Sequence, residues 1–198
     1  MTLTAARTDQ ATPAHPQLAQ LGGSMITSTA AKALAVLRVS MGFVFLWAFL
    51  DKTFGLHYAT PSAKAWINGG SPTKGFLASV EVGPLQSFFH AIAGTWWANG
   101  LFMLGLLAIG ITLIAGVAMR IATISGVVML ALMWFAEFPF AQFTSAGAAA
   151  GSSNPFADSH YIDAIVLIVL AATYAGTTWG LGRTWARLPF IHRNRWAL

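Results

Sequence analysis

The sequence predicts an all-α integral membrane protein: a four-transmembrane-helix antiparallel bundle with interfacial helices in its first outer connection. Three observations carry that reading. Of 198 residues, 56% are hydrophobic and only 9% charged, whereas a soluble domain carries charge on about a quarter of its residues. The apolar residues gather in four runs near the ~20 residues that a helix needs to cross ~30 Å of hydrocarbon. The basic residues collect in short segments flanking those runs, as the positive-inside rule expects.

In chain order, residues 1–31 are rich in Thr, Ala, Gln and Pro and are expected to form a disordered cytoplasmic arm. Residues 32–182 hold the four-helix domain, and residues 183–198 form a basic cytoplasmic tail. The first span is Ala33–Leu50, with Arg38 inside it. The second, Trp97–Met119, and the third, Ile121–Phe138, are separated by Arg120 alone, a connection short enough to make them an antiparallel hairpin. The fourth is Tyr161–Trp179, ended by Gly180 and Gly182. Arg7, Lys32, Arg120, Arg183, Arg187, Arg193 and Arg195 fall on one side, and Lys52, Lys64 and Lys74 on the other. That bias places both termini in the cytoplasm. Between the first two spans, Phe76, Leu77, Val80, Leu85, Phe88, Phe89 and Ile92 are too apolar for open water, so short interfacial helices broken at Gly83-Pro84 are expected there. Ala108, Thr112 and Gly116 recur every fourth residue, a small-residue stripe suited to close helix packing.

Composition also narrows the chemistry. There is no cysteine, which removes disulfides, thiolate nucleophiles and cysteine-ligated metals. The net charge of +5 follows from span flanks, with no aromatic-plus-basic surface for nucleic acid. No HExxH, phosphate-binding loop or nucleophile elbow occurs. His57 and His90 lie in the outer connection, away from the matched depths on facing helices that haem requires, so neither metal nor haem is expected.

The remaining candidates are charges at or inside apolar spans, where each needs a physical reason. Asp51 and Lys52 end the first span, Glu137 ends the third, and His160 and Asp163 open the fourth on one helix face. All five are expected at similar depth. One account makes them solvated helix ends, with Asp158 as an N-cap. The other makes them a converging cluster, in which Glu137 opposes its helix dipole and His160 offers a titratable proton carrier. Arg38 either snorkels to the headgroups or is buried against helix carbonyls or a ligand.

The segment LRVSMGFVFLWAFLDKTFGL and the later NPFADSHYIDAIVLIVLA resemble the opening and last helices of the DoxX-like membrane family. The insertion containing NGGSPTKGF resembles its DoxD-related branch, whose members include the large membrane subunit of thiosulfate:quinone oxidoreductase. The resemblance covers residues 32–188. It implies a prokaryotic plasma-membrane bundle tied to quinone-linked redox chemistry, and it points to Arg38, Lys52, Asn154, His160 and Asp163. The expectation is therefore a membrane subunit of a quinone-linked oxidoreductase. Lys52, Arg38, Asp51 and Asn154 would meet a small anionic reductant such as thiosulfate. Phe45, Trp47 and Trp134 would line the quinone entry, and His160, Asp163 and Glu137 would relay protons. A second oxidoreductase subunit is the expected partner. The alternative is a non-catalytic scaffold that holds a soluble redox or stress-response enzyme at the lipid bilayer through the arginine-rich tail.

Overall fold

A computed structural model describes residues 27–152 and 154–198. Apart from residues 27–31, the arm expected at 1–31 lies outside them. Among the described residues the regular structure is helical, joined by turns and loops, with one isolated β-bridge, Phe143 to Ala149.

Helix α1, Ser28–Phe54, begins earlier than its apolar run because Thr27 caps it, accepting the Ala30 N–H on Oγ1 at 3.2 Å. It ends where Gly55 adopts the left-handed conformation. The next connection carries 3-10 turns at Ser62–Lys64 and Trp66–Asn68, then the short helices α2, Lys74–Ala78, and α3, Gln86–Ile92. Helix α4 is Trp96–Ala115 and α5 is Met119–Glu137. Their turn lies at residues 116–118 and not at Arg120, which sits in the first turn of α5. Gly116, at φ +72°, closes α4 by donating to Thr112 O at 2.9 Å. Helix α6, Ser159–Ala172, is shorter than its apolar run. Thr173 turns its hydroxyl back onto Val169 O at 2.7 Å, and Tyr174 swings to φ +51°, so the chain passes through a 3-10 turn at Ala175–Thr177. The tail folds as α7, Gly182–Ala186, α8, Pro189–Arg193, and a last 3-10 turn, Arg195–Ala197.

Among the described residues three helices, α1, α4 and α5, are long and apolar enough to cross a membrane. At 14 residues, α6 spans only ~21 Å. The packing is that of a membrane-embedded helical protein. Met41, Phe45, Met103, Leu113, Leu167 and Leu170 fill the interior, while Leu101, Leu104 and Ile124 are more than 60% exposed on the outside. A soluble protein would not leave such a girdle wet.

Helices α1 and α4 run antiparallel and cross closely at Gly42 and Gly110. A side chain on Gly110 would meet the Leu46 backbone nitrogen at 2.8 Å. The stripe at Ala108, Thr112 and Gly116 is therefore not the crossing face: Ala108 is exposed, and Gly116 serves as a helix cap. Helices α5 and α6 pair through Thr123, whose hydroxyl donates to Leu167 O at 3.0 Å. A second apolar cluster, Val80, Phe89 and Ala136 with Leu77, Leu85 and Ile92, folds the 55–95 connection over the Glu137 end of α5.

Candidate functional site

Glu137, Asp158 and His160 meet where α5 ends and α6 begins. Phe138, at φ +39°, stops α5 and leaves the Glu137 carboxylate at its C-terminus, against the dipole. Asp158 caps α6, accepting the Tyr161 N–H on Oδ1 at 2.9 Å. Its other oxygen lies 3.0 Å from His160 Nδ1, and Glu137 Oε2 lies 3.6 Å from the same nitrogen. One imidazole nitrogen thus faces two carboxylates. The His160 side chain is 14% exposed and that of Glu137 46%, so the cluster is open to solvent on its glutamate side. Asp163, one turn along α6, lies within electrostatic reach of both His160 and Asp158.

The three carboxylates, with His160 behind them, border a cleft of about 890 Å³ between the 76–82 segment, the end of α5 and the 139–159 loop. Glu81, Glu137, Asp158 and Asp163 all line it, and no lysine or arginine does. Asn154 lines it as well and shapes its rim, accepting the Phe156 and Ala157 N–H groups on Oδ1 at 2.9 and 3.0 Å. An aromatic cluster lies beside the carboxylates: Trp134 packs edge-on against Phe140 and Phe156, and Phe156 against Tyr161. The Trp134 indole N–H donates to Phe156 O at 3.1 Å and ties the loop to α5.

His160 and Asp158 stand at hydrogen-bond distance, 3.0 Å, while Glu137, at 3.6 Å, is an ion-pair neighbour just beyond it. The cluster could also hold a cation, because one donor atom from each of Glu137, Asp158 and His160 lies within 4.8 Å of the others. Metal–ligand bonds of ~2.0–2.2 Å would require those donors to draw closer.

The other sequence candidates lie elsewhere. Arg38 is fully buried and its fork is spent on backbone: Nη1 donates to Leu113 O and to Ile114 O (2.7 Å), and Nη2 to Trp179 O (3.0 Å) and Thr178 O (3.3 Å). It neither snorkels nor reaches the cleft. Instead it caps the C-terminus of α4 and fastens the segment after α6 to α1. Asp51 is buried and accepts the N–H groups of Tyr58 (3.3 Å) and Ala59 (3.0 Å), closing the turn after α1. Lys52 neighbours that turn, outside the cleft lining. Phe45 is a core residue at 4% exposure. Trp47 stacks with Phe43 and Tyr58, in a cluster separate from that of Trp134. The structure thus brings Glu137, Asp163 and Asn154 to one cleft, with His160 against Glu137 and Trp134 tied to the neighbouring loop through Phe156.

Sequence reasoning missed Asp158 as the partner of His160, Glu81 as a cleft residue, and the rings of Phe140, Phe156 and Tyr161. The Asp-x-His spacing at the start of α6 was the available signal, since an N-cap carboxylate reaches back over the first turn. Glu81 carried none. Comparison of the chain with family models, curated proteins and solved structures finds no match.

Proposed function

We propose that this protein is a DoxX-like membrane subunit of a quinone-linked oxidoreductase, and that the acidic cleft is where quinone takes up protons. One observation carries the reading: a histidine set between two carboxylates stands at the edge of an acidic cleft, with a cluster of aromatic rings beside it. Converting a quinone to its quinol adds two electrons and two protons, and the protons must come from groups within hydrogen-bond reach. His160, Glu137, Asp158 and Asp163 form a short relay to solvent. The rings of Trp134, Phe140 and Phe156, packed edge-on beside the carboxylates, offer apolar edges against which a quinone ring could rest.

Charge sets the place of the reductant. Four carboxylates repel an anion, so thiosulfate or a similar reductant would bind away from the cleft, at Lys52, Lys64 or Lys74, or on a second subunit. In the same reading α6 and the segment through Trp179 make a fourth span. The arginine-rich end faces the cytoplasm of a prokaryotic cell, and the cleft faces outward.

The test is thiosulfate-dependent reduction of a soluble quinone analogue, comparing membranes that contain the protein with matched membranes that lack it, with any second subunit supplied. Activity confined to the first is expected. Glu137→Gln and His160→Gln should each lower kcat about 10²-fold and flatten its pH profile, while both variants remain folded. Equal reduction in both membranes would remove the redox assignment. Full activity in the two variants would remove the relay.

A further inference from the structure

The opposite end of the bundle carries a second cavity, of different sign. It measures about 450 Å³ and is lined by Arg120, Arg183 and Arg187 with Tyr174, Trp185 and Leu198. That volume lies within the range of small-molecule sites. No carboxylate side chain lines it, and residues 180–198 contain four arginines and neither Asp nor Glu.

The pocket is built by the fold and is not a loose gathering of surface arginines. Arg120 N donates to Leu198 O at 2.8 Å, and the Trp185 indole N–H donates to Ala197 O at 2.8 Å. Ile191 and Ala197, each 2% exposed, bury the underside of the tail. Arg120 Nη2 is held 3.3 Å from the Tyr174 hydroxyl. Two guanidinium groups, those of Arg183 and Arg187, stay exposed at its rim.

Its surroundings name the solvent that it faces. Trp179, Leu181, Phe190 and Trp196 are each 59–65% exposed around the tail. Aromatic and apolar side chains interleaved with arginines mark the headgroup layer, where rings anchor and arginines meet phosphate. The pocket lies at the end of α4 and the start of α5, helices long enough to span, which is the depth of lipid headgroups.

We propose that this pocket binds the headgroup phosphate of an anionic phospholipid, with Arg183 and Arg187 as the principal ligands, Arg120 beside them, and the tail aromatics lying in the same headgroup layer. The recognised chemistry is a phosphate oxyanion met by guanidinium N–H groups, which grip it bidentately. A soluble phosphate compound presents the same oxyanion, so the experiment separates the two sources.

The full chain, purified in neutral detergent, is titrated with phosphatidylglycerol or with phosphatidylcholine, and retained lipid is read by native mass spectrometry alongside thermal unfolding. Phosphatidylglycerol is expected to stay bound and to raise the unfolding temperature, and phosphatidylcholine to do neither. The double variant Arg183→Gln/Arg187→Gln should bind phosphatidylglycerol about 25-fold more weakly, a factor of about five for each arginine. Its unfolding temperature without anionic lipid should match the wild type. A double variant that retains the lipid as tightly as the wild type would overturn the site. So would inorganic phosphate reproducing the thermal shift and displacing the lipid, since that would assign the pocket to a soluble ligand. If the double variant does not fold, the wild type decides by salt dependence. Lipid affinity should fall steeply as salt rises from about 0.05 to about 0.5 M, and an unchanged affinity would exclude an electrostatic site.

Discussion

Arg38 shows how one side chain can hold a membrane fold together. Its fork reaches four backbone carbonyls, two on the last turn of α4 and two on the segment after α6. On α4 the guanidinium meets carbonyls of the last turn, which a helix leaves short of intrahelical donors; Leu113 O is shared with the Gly116 N–H at 3.2 Å. A fixed positive charge there also opposes the negative end of the α4 dipole. Arg38→Met should therefore lower stability by about 3 kcal/mol or more, since hydrogen bonds to charged groups contribute about 1.5–3 kcal/mol each and are not additive. Arg38→Lys should lie between, because an ammonium keeps the charge and loses the fork. Thermal unfolding in detergent checks both; a ranking in which Lys is no better than Met would show that charge contributes nothing. The sequence marked Arg38 as a costly residue that needs partners, but carbonyls belong to every residue and leave no pattern to read. The link between His160 and Asp158 did leave a trace, the Asp-x-His spacing at the α6 cap, but only the structure shows the cap turning its second oxygen onto the imidazole.

The helices were legible where apolar periodicity was long, and less so at their ends. Helices α4 and α5 fall within a few residues of their apolar runs, yet α4 stops at Ala115 because Gly116 takes a left-handed turn that hydropathy does not register. Helix α6 stops at Ala172 for a similar reason, through the Thr173 hydroxyl and the Tyr174 backbone. The helix-crossing face was misread because several small residues lie along α4 and only tertiary contact tells them apart. Gly110 and Gly100 separate the two cases on one helix. A Cβ on Gly110 meets Leu46 N at 2.8 Å and Gly42 O at 3.0 Å, whereas a Cβ on Gly100 meets nothing within 4 Å. Gly110→Ala should cost about 1–3 kcal/mol, because backbone rather than a flexible side chain must move. Gly100→Ala should leave stability unchanged or raise it by up to about 1 kcal/mol, through the lower flexibility of alanine in a helix. Paired melting curves for the two variants check this contrast, and equal losses would mean that α1 and α4 do not cross at Gly110.

Taken whole, the molecule is electrically polar along its helices. Asp51, Glu81, Glu137, Asp158 and Asp163 all lie at the end where α1 and α5 finish and α4 and α6 begin, outnumbering Lys52, Lys64 and Lys74 there. Lys32, Arg120, Arg183, Arg187 and Arg193 lie at the other, with Arg38 capping α4 just inside it. Under the proposed reading, an acidic cleft at one end and a basic pocket at the other would give the two membrane faces different work: proton exchange at one, headgroup binding at the other. Orientation then decides from which compartment quinone would draw its protons. The basic end should lie in the cytoplasm, because lysine and arginine near span ends resist translocation. The chain has no cysteine, so a single introduced thiol reports without background. Ser79 stands exposed at the cleft end and Thr184 at the basic end. In intact cells a membrane-impermeant maleimide should label Ser79→Cys and spare Thr184→Cys, which should react only after the membrane is opened. The reverse pattern would turn the cleft toward the cytoplasm, so that quinone reduction there would consume cytoplasmic protons. Labelling of both positions in intact cells would mean that the two ends share one face, which the four-span arrangement does not allow.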